Sequence, residues 1–341
     1  MAGVRPVRME DIAARVGVSR TAVSFVLNDR ADASISDAIR AKIIQVANEL
    51  GYRPHAGARA LAAQRSGLIG MITEVITSPF GPGVIRGAQD AAWGAGKFLL
   101  IAATEGRREL EEFAIDRLLQ QRVEGLIYAS GFHREVVLPA AMLELPTVLV
   151  HCFDAEGRRP AVVPDESLGG YRATRRLLEA GHRRIGLVNL ERRRKAAKGR
   201  RQGYIKALSE FHVAVDESLI AHASATAGGG YEASGELLDL ADPPTALFCC
   251  TDRMAMGAYD AIRERGLRIP DDVSVVGFDN QELIAAYLRP GLTTVALPHY
   301  EMGRWAVNRI LDDIENPGKP AVQSQLDCPL IERGSLGPPP S

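Results

Sequence analysis

Only four cysteines occur in 341 residues, Cys152, Cys249, Cys250 and Cys328, and none stands at a C-x-x-C spacing. That argues against a redox or zinc motif and suits small buried thiols in a reducing compartment. No apolar run approaches the roughly 18–20 residues that span a bilayer. The opening MAGVRPVRMEDIAARV has no apolar stretch of the secretory kind. A cytoplasmic protein with no membrane partner is therefore expected. No Walker motif, H-E-x-x-H or G-x-S-x-G occurs. Gly81-Pro82-Gly83-Val84-Ile85-Arg86-Gly87 misses the G-x-G-x-x-G spacing and has a proline in the turn. The seven histidines are scattered, with no pair at metal-ligand spacing. His151, Cys152 and Asp154 are close in sequence but read as residues flanking one strand end. No catalytic residue, metal or cofactor is expected.

The length suggests two or three domains. At 46% hydrophobic and 24% charged residues, the composition is that of a globular protein. The net charge of −1 hides an asymmetry. Residues 1–65 carry ten Lys/Arg against six Asp/Glu, so the acidic excess lies in the remainder. A basic head on an acidic body suits a nucleic-acid-binding module joined to something else.

The head reads as three short helices. Met9, Ile12, Ala13 and Val16 line one face of the first. Gly17 permits a sharp turn. Ser19 is placed to cap the second, whose apolar face is Ala22, Val23, Val26 and Leu27. Arg20, Thr21, Ser24 and Phe25 are left to face outward. In a helix-turn-helix these positions approach base edges and phosphates. Ser36 can cap a third helix, with Ala38, Ile39, Ile43, Ile44, Val46, Ala47 and Leu50 on its apolar side. Gly51 ends it and Pro54 blocks its continuation.

From Gly67 onward apolar runs alternate with helical patterns. Leu68–Ile72, Phe98–Ala102, Gly125–Ala129, Thr147–Val150, Ile185–Asn189, Ala246–Cys250 and Val273–Phe278 read as buried strands. Val84–Trp93, Leu110–Gln121, Leu168–Glu179, Gly203–Phe211, Tyr231–Leu240 and Met254–Arg265 read as helices. Such alternation implies parallel sheets flanked by helices. The pattern repeats loosely over 67–164 and 165–292, which points to two sheets. The run ERRRKAAKGRR at 191–201 holds seven Lys/Arg and is expected to be a solvated loop.

The words MEDIAARVGVSRTAVSFVLN, IRAKIIQVANELGYRPHAGARAL, GLIGMI, TDRMAMGAYDAIRERGLRIPDDVSVVGFDN and RPGLTTV resemble the lactose-repressor (LacI/GalR) family of bacterial transcription regulators. The resemblance runs from about residue 7 to residue 333. It implies an all-α helix-turn-helix domain at 1–53 and a hinge helix and linker at 54–66. It further implies a two-lobed α/β domain like that of periplasmic sugar-binding proteins at 67–333. Lobe one is expected at about 67–164 and 295–321, and lobe two at about 165–292 and 322–333. The tail 334–341 is expected to be disordered.

The resemblance also implies site residues. DNA contacts fall on Ser19, Arg20, Thr21, Ser24, Phe25, Asn28, His55, Ala58, Arg59 and Leu61. Leu61 is the candidate wedge that opens a base step from the minor groove. Effector contacts fall on Arg200 and Asp279, with Phe80, Ser130 and Thr251 beside them. Arg201 is the alternative to Arg200. The sequence departs from the family's pattern at three places. Arg8 replaces a Ser or Thr cap, Phe25 replaces a polar residue, and Gly57 costs a hinge helix roughly 0.8–1 kcal/mol relative to Ala.

The implied protein is a regulator, a repressor by expectation. It binds a palindromic double-stranded operator as a homodimer and answers to a small carbohydrate or related metabolite in the cleft. No heptad helix follows the body to make a tetramer. A solute-binding protein without a DNA role is the alternative; an enzyme is disfavoured by the missing catalytic constellation.

Overall fold

The computed structural model describes residues 5, 7–28, 35–53, 65–74, 76 and 79–340. Two compact units result, Met1–Gly67 and Leu68–Ser341.

The first unit packs α1 (Met9–Val16), α2 (Arg20–Leu27) and α3 (Asp37–Glu49) around Ile12, Val23 and Ile43, which are fully buried. Gly17 takes φ 83°, the left-handed turn that a side chain resists. Ser19 Oγ accepts from Ala22 N at 3.1 Å, closing the start of α2. Arg8 has no side-chain acceptor, and Asp11 compensates by accepting from Arg8 N at 2.7 Å. Two readings change. Ser36 precedes α3 but its hydroxyl makes no cap. Ile39 and Ile44 lie on the exposed side of α3, because its buried stripe runs through Ile43, Val46 and Ala47.

The second unit holds two sheets, each of six strands among the described residues. Lobe one orders them β11-β5-β4-β3-β1-β2, lobe two β12-β10-β9-β8-β6-β7. The elements of lobe one are β1 (Leu68–Thr73), α4 (Gly81–Gly94), β2 (Phe98–Ala103), α5 (Arg108–Gln120), β3 (Gly125–Glu135), β4 (Thr147–Phe153) and β5 (Ala161–Pro164). Lobe two follows with α6 (Glu166–Glu179), β6 (Ile185–Leu190), α7 (Lys195–Glu210), β7 (Ile220–Ala223), α8 (Ala227–Leu238), β8 (Ala246–Cys249), α9 (Asp252–Glu264), β9 (Ser274–Asp279), α10 (Glu282–Ala285) and β10 (Thr293–Ala296). The chain then returns to lobe one for α11 (His299–Glu315) and β11 (Gln323–Leu326), and ends in lobe two with β12 (Leu330–Ile331). Described pairings are parallel except β10 with β12. The strand order is the same in both lobes, so the loose repeat in sequence is a repeat in topology. Apolar strands are buried on both faces, as parallel sheets require.

The lobe limits shift from the expected ones. β11 pairs with β5 in lobe one, and Val295 pairs with Phe278 in lobe two. The QSQL of β11 is polar and short, so its pairing is invisible without its neighbour. The tail is a second correction. Ser335 is fully buried; its hydroxyl donates to Val275 O at 2.6 Å and accepts from Thr293 N at 2.8 Å. Gly337 N donates to Ser274 Oγ at 3.0 Å, and Gly337 O accepts from the His182 ring. Composition suggested a loose tail; the backbone groups of β9 and β10 that it satisfies give it a fixed place. The charge run is the third. Its second half starts α7, because Ala197 and Tyr204 are buried, with Tyr204 Oη donating to Ile185 O of β6 at 2.8 Å.

Candidate ligand site and nucleic-acid interface

Both sheets end at one cleft. The carboxyl ends of β1, β3 and β4 face those of β6, β8 and β9, where open parallel sheets receive ligands. The cavity between them measures 290 Å³. That is close to the lower limit, roughly 300 Å³, of small-molecule sites.

Arg200 is the charged centre of the cleft and is 3% exposed. Its position follows from how α6 and α7 pack. Gly170 and Gly203 bring the two backbones into contact, and a Cβ on Gly203 would stand 2.1 Å from the Ser167 carbonyl oxygen. Arg200, one turn earlier, is sealed between the helices and the cleft. Its Nε donates to Glu166 Oε2 at 2.8 Å, and Nη1 donates to the Cys250 carbonyl. Nη1 is also 3.8 Å from Asp279 Oδ1, and the guanidinium lies 3.6 Å from the centre of the Phe278 ring. A Gly203→Ala variant should force α6 and α7 apart. It is expected to lose about 1–3 kcal/mol in urea denaturation of the full chain; an unchanged midpoint would show that the helices can yield.

The three charges depend on one another. Burial alone would raise the Glu166 carboxyl, but Arg200 and His133 together outweigh it and hold the group down at about 2. Burial opposes the charge on Arg200, and Glu166 and Asp279 restore it. Burial pushes Asp279 up despite Arg200. Asp279 and Asn280 take φ 117° and φ 51°, conformations that L-residues seldom adopt. Gln281 Nε2 donates to Asp279 Oδ2 at 3.0 Å, and Arg333 Nη2 to Asn280 Oδ1 at 2.8 Å. Strained backbone held in this way is typical of ligand clamps.

Other expected residues are placed less simply. Thr251 lines the cavity but also caps α9, accepting from Met254 N at 3.0 Å. Phe80 lines it at the start of α4. Ser130 is set back from it, donating to Glu74 Oε2 at 3.1 Å while Glu74 itself faces the cavity. Arg201 points away to Glu217, which leaves the cleft to Arg200.

Lobe one contributes what the sequence reading missed. His133, His151 and His299 come together from β3, β4 and the start of α11, although they are far apart in the chain. The rings of His151 and His299 are 5.5 Å apart, and those of His133 and His151 are 6.4 Å apart. His151 sits at φ 60° near the carboxyl end of β4, the strand of lobe one that corresponds to β9, which ends at Asp279, in lobe two. Of the neighbours grouped with it in sequence, Cys152 turns into the core and Asp154 accepts from Glu156 N, Arg158 N and Arg159 N in a tight loop. Among the described residues, no group of His, Cys, Asp and Glu is arranged to hold a metal ion. Glu166, the partner of Arg200, was also missed. The signal was its place at the first turn of the helix that follows the crossing between lobes.

Burial pushes His299 down to about 4 and His151 well below its usual value, with His299 adding to the latter. A histidine lowered in the fold binds its proton first in the unfolded chain. Its stability contribution is complete above about pH 6.5 and is lost as pH falls toward 4. For His299 this amounts to at most about 3 kcal/mol. Thermal melts of the full chain should therefore fall between pH 6.5 and 4.5, and His299→Gln should flatten that slope. Equal slopes would show that His299 titrates normally.

On the first unit, α2 carries the expected reading surface. Arg20 is exposed, with Nε 3.2 Å from Glu10 Oε1. Thr21 and Phe25 are exposed and Ser24 half-buried. Asn28 folds back, its Nδ2 donating to Ser24 O at 2.9 Å. The Ser19 oxygen caps the helix, a bond that does not use its hydroxyl proton. His55, Ala58, Arg59 and Leu61, with Gly57, lie outside the described residues.

A helix-turn-helix unit in one chain with a two-lobed ligand-binding unit defines a DNA-binding regulator under small-molecule control. Comparison with known proteins agrees. The family described as "Bacterial regulatory proteins, lacI family" matches residues 8–55, and the "Periplasmic binding protein-like domain" matches residues 174–336. The ribose operon repressor of Haemophilus influenzae is 36% identical over 328 residues, covering 96% of this chain and 98% of that protein. The transcriptional regulator CelR in its cellobiose complex is 30% identical, with TM-score 0.67, covering 97% of this chain and all of that one. The Lac repressor dimer bound to operator and the anti-inducer ONPF is 26% identical, with TM-score 0.81, covering 97% and 99%. The chain belongs to the LacI family of bacterial transcription regulators. It is a DNA-binding regulator and not an enzyme.

Proposed function

We propose that this regulator is a cytoplasmic repressor that binds a two-fold symmetric operator as a homodimer and responds to a monosaccharide in its cleft. The observation that carries the ligand reading is the buried cluster of Arg200, Glu166 and Asp279 at the edge of a 290 Å³ cavity. Carboxylates accept hydroxyl protons and a guanidinium donates in a planar fork, which together suit a polyhydroxylated ring. Phe80 supplies an apolar surface for the ring face. D-ribose is the first candidate, from the likeness to the ribose operon repressor.

The dimer reading is supported by exposed apolar side chains of lobe one. Trp93 on α4 is 78% exposed, Phe98 on the edge strand β2 59% and Phe113 on α5 57%. Large exposed apolar side chains suit an interaction surface, and an operator with two half-sites needs two heads. Ser19, Arg20, Thr21, Ser24 and Phe25 of α2 would face the major groove. Asn28 holds the end of that helix. His55, Ala58, Arg59 and Leu61 would reach the minor groove.

A thermal-shift panel of D-ribose, D-glucose, D-galactose and D-xylose on the full chain tests the ligand class, since a tight ligand raises apparent stability by mass action. A rise with one sugar supports the reading. A rise only with nucleosides or phosphorylated metabolites would replace it.

A further inference from the structure

Five buried polar atoms around the cleft lack a hydrogen-bond partner among the described residues: His133 Nδ1, His151 Nδ1, His299 Nε2, Glu166 Oε1 and Arg253 Nε. Only one other such atom, Ser234 Oγ, is found elsewhere in the described chain. Unpaired buried groups are expensive to keep, so their concentration at one cavity is informative. Four of the five belong to residues that line the cavity; His299 packs behind, against Phe80 and His151.

His133 Nδ1 and Glu166 Oε1 face each other from opposite lobes at 3.7 Å. That is too long for a hydrogen bond between them. Both residues line the cavity, so a ligand oxygen that reached its edge would come near both atoms. Glu166 stays ionised beside Arg200 and can only accept. The bridging group must therefore donate to Glu166 and can accept from His133. A hydroxyl does both; a phosphate or carboxylate oxygen has no proton to give. The cleft's charges lean the same way at most positions. Arg200 is paired with Glu166, Arg134 with Glu74 and Arg194 with Glu191, so an anion beside these would compete with carboxylates already in place. Arg253, whose Nε has no partner among the described residues, is left to donate to a ligand oxygen.

We propose that His133 is a specificity-determining residue of the effector site, and that one ligand hydroxyl bridging His133 Nδ1 and Glu166 Oε1 joins lobe one to lobe two. His151, from the next strand, provides the second polar contact of lobe one. His299 positions His151 and Phe80. The effector is thus an uncharged polyol bound across both lobes, which rests on the carbohydrate reading above and sharpens it. The atoms of Glu166 and His133 that this hydroxyl satisfies lie in different lobes. A ligand lacking it can occupy lobe two without holding lobe one.

The test uses isothermal titration of the full chain with D-ribose, D-glucose and D-galactose. The sugar that binds most tightly is then compared with its single-deoxy analogues and its phosphate ester. One deoxy analogue and the ester should each bind on the order of 10- to 1,000-fold more weakly than the parent. His133→Leu should lose a similar factor for the parent sugar, with no further loss for that deoxy analogue. His133→Asn, whose amide nitrogen can take the place of Nδ1, should recover most of the affinity. A merely structural role for His133 would weaken parent and deoxy sugar alike, and Asn would not rescue. Because His133→Leu could misfold, the deoxy series on the unaltered chain stands as an independent arm. Unchanged affinity in His133→Leu, or equal binding of every deoxy analogue, overturns the proposal and leaves the carbohydrate reading intact. Failure of every sugar to bind the unaltered chain overturns both.

Discussion

Replacing Arg200 with methionine is expected to remove the effector response and to destabilise the body by about 3–5 kcal/mol. The size follows from what remains. Glu166 is 4% exposed and Asp279 6%, so each would be left as a buried carboxyl without its cation. Glu166, now held down at about 2 by Arg200 with help from His133, would rise and more readily take up a proton. The double variant Arg200→Met with Glu166→Gln should recover part of the stability, because only Asp279, which burial already pushes toward its neutral form, is then left without the cation. It should not recover ligand binding, which needs both groups. Urea unfolding and titration calorimetry on the two variants separate these effects. If Arg200→Met alone is as stable as the unaltered chain, the cluster is not the energetic centre of the cleft.

The second large effect belongs to the DNA interface. Leu61→Ala should weaken operator binding by about 10- to 100-fold, roughly 1.4–2.8 kcal/mol, and should reduce DNA bending. An apolar wedge unstacks a base step and bends the duplex to gain contact. Arg20→Ala should cost about 1–3 kcal/mol through loss of a base or phosphate contact. The two are distinguishable. Arg20→Ala should leave the bend intact once the DNA is saturated, whereas Leu61→Ala should not. Gel mobility with circularly permuted fragments reads the bend. Unchanged affinity and bend in Leu61→Ala would remove the wedge from the account.

Much of this was legible in the chain. Short apolar runs placed most of the central strands to within a residue or two, because parallel strands buried on both faces need them; β3 and β4 run on past their apolar runs, to Glu135 and Phe153. The turn at Gly17 and the cap at Ser19 were legible because each solves a local problem. Arg200 and Asp279 were reached through family likeness, and the structure then supplied the reason for their position. What escaped reading depends on contacts between distant segments. β11 has a polar sequence and becomes a strand only by lying beside β5. Ser335 looks like part of a Gly/Pro tail until Val275 and Thr293 are seen to need it. The histidines are separated by up to 166 residues and meet only because β4 ends near the start of α11. Glu166 looked like an ordinary first-turn acid. Its importance appears when Gly170 and Gly203 are seen to press α7 against α6 and place Arg200 on it.

The link between the two units is the centre of the account. A ligand changes DNA affinity only by its differential affinity for two arrangements of the body. The most direct measurement is operator binding by the full chain, followed by fluorescence anisotropy. The DNA is taken from around its own gene, with a scrambled duplex of equal length as control. The best sugar from the thermal-shift panel is titrated across several salt concentrations. The predicted result is salt-sensitive binding that prefers the genomic DNA, with a dissociation constant that moves about tenfold or more with sugar. The same shift should vanish in Arg200→Met. Equal affinity for both duplexes, or an operator affinity unmoved by a sugar that calorimetry shows to be bound, would contradict it.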